Sequence, residues 1–130
     1  MTQFNPIDAL GRLLLASIFI VSGVGKLAAP EATQAYISSV GLPLPLLSYF
    51  AAVAVELIGG ILFLFGYQTR IVSLVLAAFS VLTALVFHND FADQNQMIHF
   101  MKNLAIAGGL LQVAAFGAGS VSIDARRHAA

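Results

Sequence analysis

Hydrophobic residues along the chain fall into four long runs separated by short polar breaks. A bilayer core of roughly 30 Å needs about 20 mostly apolar residues per helix. Residues 6–27, 44–65, 69–88 and 97–116 each meet that requirement. Asn5 before Pro6 is a helix N-cap followed by proline at the first helical position. The second run is entered through Gly41-Leu42-Pro43-Leu44-Pro45 and stops at Gly66, and the fourth ends in Gly117-Ala118-Gly119. The pattern predicts an all-α protein, an integral membrane four-helix bundle forming a single domain over residues 1–130. In the first outer loop, Pro30-Glu31-Ala32-Thr33-Gln34-Ala35-Tyr36-Ile37 followed by Gly41 predicts a short helix lying at the interface.

Composition sharpens this picture. Apolar types make up 59% of the chain and charged types 9%, against a globular norm of roughly 25% charged. Mean hydropathy is +0.91. So few charges do not cover the surface of a small soluble domain, so the solvent is lipid. Arg12 inside the first run, Asp8 before it and the poor cleavage match Leu27-Ala28-Ala29 predict a retained span and not a signal peptide. Six Lys+Arg balance six Asp+Glu, which leaves no basic field for nucleic acid. The absence of cysteine excludes disulfides and thiol redox chemistry. Any redox role therefore uses a bound cofactor, a quinone-like lipid or a partner protein. No metal-ligand spacing, phosphate loop or nucleophile motif is present.

Four spans put both termini on one side with the loop Gly66-Tyr67-Gln68. That side holds Arg12, Arg70, Arg126 and Arg127 near the spans, against Lys26 and Lys102 on the other. The positive-inside rule then places the N- and C-termini in the cytoplasm.

Ionisable residues inside a bilayer usually pair or face a cavity. Helices turn about 100° per residue, so Arg12 and Lys26, fourteen apart, share a broad stripe of the first span with Ala16, Phe19 and Gly23. Arg70 and His88, eighteen apart, point the same way from the third. In the fourth, His99 shares a face with Lys102 and Asn103 at i+3 and i+4. Glu56 lies well inside the second span and needs a cationic partner or a proton. Its depth points to Arg12 or Arg70. The expected interior has an inner tier of Arg12, Glu56 and Arg70 and an outer tier of Lys26, His88, His99 and Lys102. Bland readings stand beside these: cations near helix ends snorkel to head groups, Asn103 bridges helices, and a buried Glu56 pair fixes register.

Gly11-Arg12, Ser22-Gly23-Val24-Gly25-Lys26, Glu56-Leu57-Ile58-Gly59-Gly60, Gly66-Tyr67-Gln68-Thr69-Arg70, Phe87-His88 and Phe100-Met101-Lys102-Asn103-Leu104 together resemble the DoxX family. The ending Ser122-Ile123-Asp124 looks most like its YqjF-like bacterial branch. The resemblance implies a multi-pass protein of the bacterial inner membrane, and kinship with proteins tied to quinone or oxidative-stress responses. The family's charged motif positions correspond here to Arg12, Lys26, Glu56, Arg70, His88 and Lys102.

The leading functional expectation is a membrane component of a quinone-linked redox system. No covalently bound cofactor is expected, and any enzymatic role is that of an oxidoreductase subunit. Arg12, Lys26, Glu56, Arg70, His88, His99, Lys102 and Asn103 are the ligand-binding candidates, with Glu56 as a proton relay. Its partners are the lipid bilayer and either a redox enzyme or further copies of the chain. A small proton or solute channel or carrier, and a non-catalytic scaffold subunit, are the alternatives.

Overall fold

The computed structural model describes residues 3–129. Four helices are long and apolar enough to cross a membrane: Pro6–Ala28, Pro45–Phe65, Thr69–Phe87 and Gln94–Phe116. The first is α1. A short α2, Pro30–Ser39, follows it across Ala29 alone. The second span comprises α3 (Pro45–Ala54), one π-helical stretch (Val55–Gly59) and α4 (Gly60–Phe65). The third is α5 (Thr69–Phe87), the fourth α6 (Gln94–Phe116), and a terminal α7 covers Ile123–Ala129.

Local chemistry sets these boundaries. Asn5 caps α1 by accepting the Ile7 N–H at 3.1 Å, with Pro6 as its first residue. α6 begins three residues before the sequence pattern places it. Asp93 accepts the Asn95 N–H at 2.9 Å, and this cap carries the helix into a polar stretch that hydropathy does not count. Leu44 and Gln68 take left-handed backbone conformations and turn the chain into α3 and α5. The interfacial helix forms as expected and folds back over its end of the bundle. Ile37 is buried with Tyr49 and Val53, and the Tyr36 ring stacks on Phe87 at 5.3 Å. The π stretch and α7 lie outside what the hydropathy pattern reveals.

α1 packs along the whole second span, and α5 packs most extensively against α6. Between the two ends of the bundle lies an apolar core of Ala16, Phe19, Phe63, Val72, Leu76, Ala77, Ala107 and Leu110. Ser73 and Ser80 are buried on α5, but their hydroxyls donate to Thr69 O and Leu76 O in their own helix, so they leave no free polar groups in this layer.

The end carrying both termini is tied by two polar side chains. Arg12, 2% exposed, reaches from α1 into the loops of the rest of the chain. Its guanidinium donates to Leu64 O at 2.6 Å, Phe63 O at 3.3 Å, Ala118 O at 3.0 Å and also Val121 O. The first two carbonyls belong to the last turn of α4, where helix carbonyls lack intrahelical partners and a cation complements the dipole. Asp124 does the converse for α5. Its carboxylate accepts Gln68 N–H at 2.9 Å, Thr69 N–H at 2.8 Å and the Thr69 hydroxyl at 2.6 Å, capping a helix that has no side-chain cap of its own. The Asn5 N–H donates to Ser120 Oγ at 2.8 Å, which brings the chain's two ends together.

Replacing Arg12 by Met leaves the carbonyls of Leu64, Ala118 and Val121 without donors, while Phe63 O keeps the Gly66 N–H. Thermal unfolding in detergent should show a loss of about 3 kcal/mol or more, the scale for charged hydrogen-bond donors; an unchanged midpoint would remove the clamp role. Asp124, outside the spans, gives a pH prediction. Burial alone raises its pKa, but hydrogen bonds from Thr69 and Gln68 and the field of Arg127 outweigh this and hold it below the usual 3.8. A depressed carboxylate contributes stability that is present above the unfolded pKa and lost as pH falls through the lower folded value. An acid titration of unfolding should show that loss below about pH 4, and Asp124→Asn should flatten it.

Candidate functional site

The polar residues of the spans separate into three groups. In the first, Lys26 on α1 points inward to Glu56 on the π stretch. Nζ lies 2.9 Å from each carboxylate oxygen, in a well-aligned hydrogen bond to Oε1 only. Ser22, one turn before Lys26, donates to Glu56 Oε1 at 3.1 Å and accepts from Nζ at 2.8 Å. Tyr49 Oη donates to the Lys26 carbonyl at 3.1 Å, fixing the α1 end against α3. The Glu56 side chain is 6% exposed and that of Lys26 is 26% exposed, so the carboxylate is buried and the ammonium reaches it from the rim.

Gly23 makes this approach geometrically available. A Cβ there would sit 2.7 Å from Leu57 Cγ and 3.3 Å from Glu56 Cβ, so α1 rests directly on the π stretch. π-helical turns widen the backbone locally and often mark functional positions. Here one lies under Glu56, the carboxylate in the middle of the second span, so the backbone irregularity and the charge coincide.

The second group joins α5 to α6 at the same end of the bundle. His88 and His99 rings lie 5.1 Å apart with a 31° tilt. His88 is the first residue beyond α5. Burial lowers its pKa from 6.5, His99 and Lys102 act in the same direction, and Gln96 opposes them. Its Nδ1 and the Gln96 Oε1 are both shielded from solvent and lack a well-aligned hydrogen bond. Asn103 donates to Thr83 Oγ1 at 3.2 Å and bridges α5 and α6. Lys102 and His99 are exposed and make no hydrogen bond or ion pair among the described residues, so their donors are free.

Arg12 and Arg70 form the third group at the opposite end, and both bind carbonyls. Arg70 Nη1 donates to Ala115 O at 3.0 Å near the end of α6. The expected inner tier of Arg12, Glu56 and Arg70 therefore does not form. The depth estimate placed Glu56 by residue count alone. It missed that a lysine stem reaches inward from the rim as readily as outward, and that orphan carbonyls at helix ends compete for arginine. The outer tier divides likewise: His88, His99 and Lys102 stay together, and Lys26 belongs to Glu56. Ser22, Tyr49, Gln96 and Thr83 escape sequence reasoning, although Ser22–Lys26 (i+4), Gln96–His99 (i+3) and Tyr49–Glu56 (two turns) carried the spacing.

A membrane-embedded ion pair, a histidine pair beside a free lysine, and an arginine clamp in a four-span bundle define a polytopic helical membrane protein with a polar site at one end. The DoxX family model matches residues 7–89. The chain is 41% identical over 128 residues to the inner membrane protein YqjF of Escherichia coli, covering 95% of each. It is 33% identical over 123 residues to the E. coli inner membrane protein YphA, covering 90% of this chain and 87% of that one. It is also 41% identical over 75 residues to CatD of Bacillus subtilis, whose name carries the word oxidoreductase, covering 58% of this chain and 54% of CatD. No solved structure matches significantly. The chain belongs to the DoxX family, and it is a multi-pass protein of the inner membrane.

Removing Lys26 leaves the Glu56 carboxylate buried and unpaired, which costs about 3–5 kcal/mol in proteins of known energetics, whereas removing Glu56 leaves an ammonium at the rim and costs less. Glu56→Gln and Lys26→Met should each lower the unfolding midpoint in detergent, and the double variant should recover much of the loss. Additive losses in that double-mutant cycle would show that the pair contributes nothing as a pair.

Proposed function

We propose that the chain is a membrane component of a quinone-linked redox system, with its head-group site at the bundle end opposite the termini. The observation that carries this reading is the contact of the His88 and His99 rings at one end of the bundle, with Lys102 one turn along α6 and its charge felt by His88, and no hydrogen bond to His99 or Lys102 among the described residues. Imidazole and ammonium donors suit carbonyl oxygens, and they stabilise negative charge that develops on such oxygens during reduction. A depressed pKa keeps His88 neutral near pH 7, so its ring nitrogen can accept a proton as well as orient a ligand. The Lys26–Glu56 pair is the local proton store in this reading: protonation of the carboxylate would release Lys26 toward the rim. CatD's name supports a redox setting for the family.

The apolar layer of Phe19, Phe63, Leu76 and Leu110 between the two polar ends argues against the channel alternative, because among the described residues it separates the polar groups of one end from those of the other. A head group held at one edge needs no such path.

Binding of a fluorescent or spin-labelled quinone analogue to purified protein in detergent tests the site. Wild-type protein should bind, and Lys102→Ala should weaken binding by about tenfold, the worth of one charge-assisted contact. His99→Gln should weaken it too. Absence of binding by wild-type protein, or identical affinities for all three, would discard this reading.

A further inference from the structure

At the end of the bundle that holds the termini, away from the site proposed above, α1, α5, the loop after α6 and α7 line an open cleft of about 1100 Å³. Its walls are charged and its margin is greasy. Asp8, Arg70, Arg127 and His128 line it, while the lining residues Phe4 (78% exposed), Ile71 (63%) and Phe116 (80%) stand out at its margin. A polar cleft with an apolar lip has the amphipathic form of a single lipid: head group inside, chains outside.

The charges have separate commitments. Asp124 is saturated by three hydrogen bonds from Gln68 and Thr69. Arg70 uses only Nη1, on Ala115 O; Nη2 and Nε run beside Gly117, where an added Cβ would lie 3.4 and 3.6 Å from them. The guanidinium edge is therefore left clear by a residue without a side chain. Arg127 lies over the Tyr67 ring at 5.2 Å, which holds the guanidinium by its face and leaves its N–H edge free. The Asp8 carboxylate accepts no hydrogen bond and forms no ion pair within 4.0 Å among the described residues; the field of Arg12, one turn along α1, reaches it, and it packs against Gly119. The cleft thus offers two arginines with spare donors and one carboxylate whose oxygens accept no hydrogen bond among the described residues.

We infer that this cleft binds a phospholipid with a primary-amine head group, with its phosphate on Arg70 and Arg127 and its ammonium on Asp8. Guanidinium groups recognise phosphate oxygens by paired N–H donors. A primary ammonium presents three donors to a carboxylate, a quaternary one presents none, and an uncharged glycerol head group leaves Asp8 facing the phosphate as a like charge. A phosphoethanolamine head group is the membrane constituent that satisfies both sets of residues at once.

Native mass spectrometry of the full chain in detergent, titrated with phosphatidylethanolamine, phosphatidylcholine and phosphatidylglycerol of identical acyl chains, tests the assignment. Phosphatidylethanolamine should bind most tightly. Asp8→Asn should cut its affinity by about fivefold, the scale of one partly screened ion pair, and leave phosphatidylglycerol equal or tighter. Arg70→Gln should weaken all three lipids, and Arg126→Gln, outside the cleft, should change none. If Arg70→Gln does not fold, Asp8→Asn decides alone. Equal binding of the three lipids, or a phosphatidylethanolamine preference that survives Asp8→Asn, overturns the inference. Displacement of the lipid by micromolar soluble glycerophosphoethanolamine overturns the membrane source and reassigns the cleft to a water-soluble head-group compound.

Discussion

Inside a bilayer, a polar group finds its partner in the protein or goes without one. α1 carries two cations on one stripe, Arg12 and Lys26, and the bundle answers each in a different currency of hydrogen bonding. Arg12 takes backbone carbonyls from α4 and the loop after α6. Lys26 takes the one carboxylate of the second span. The planar fork of arginine can serve several fixed carbonyls at once, whereas the ammonium is a compact charge that favours a single anion. The second span and the loop after α6 are placed relative to α1 by these attachments.

The two attachments sit at opposite ends of the bundle, and what lies between them is apolar and buried. Phe63 and Leu76 are fully enclosed there with Ala16 and Leu110. Such a layer keeps the fields of the two ends from meeting through water. It lets one end be a rigid clamp with capped helix termini and the other a place where histidine and lysine donors stay uncommitted. The π stretch belongs to the second end, and its widened backbone holds Glu56 against α1 where Gly23 gives room.

The spans, the α2 helix and the inward orientation of Arg12 and Glu56 were legible in the sequence, because each follows from run length, proline placement or helical period. The pairing was not. Helical wheels fix direction about one axis but not the depth at which a flexible side chain ends, so Lys26 and Arg12 were exchanged as partners of Glu56. Nor does hydropathy register a trans cap such as Asp124, whose partners Gln68 and Thr69 lie 56 and 55 positions away. The His88–His99 contact was readable in part: the spacing placed each residue on a face, and only packing of α5 on α6 could place the faces together.

That packing bears on where the open donors come from. The family model covers residues 7–89 and therefore contains Arg12, Lys26, Glu56, Arg70 and His88. His99, Lys102 and Asn103 stand on α6, beyond it, although the similarity to YqjF extends across 95% of the chain. A three-span unit would possess the closed Lys26–Glu56 pair and a lone His88, with the α5 seam of Ser80 and Ala84 turned to lipid. α6 is the main neighbour of α5 and is bonded to it by Asn103 and Thr83. The fourth span thus both completes the apolar packing and converts one histidine at a helix end into a cluster with spare donors. Stability and the grouping of donors at that edge arise from the same helix–helix contact, so Asn103 shapes the cluster through the packing of α5 on α6.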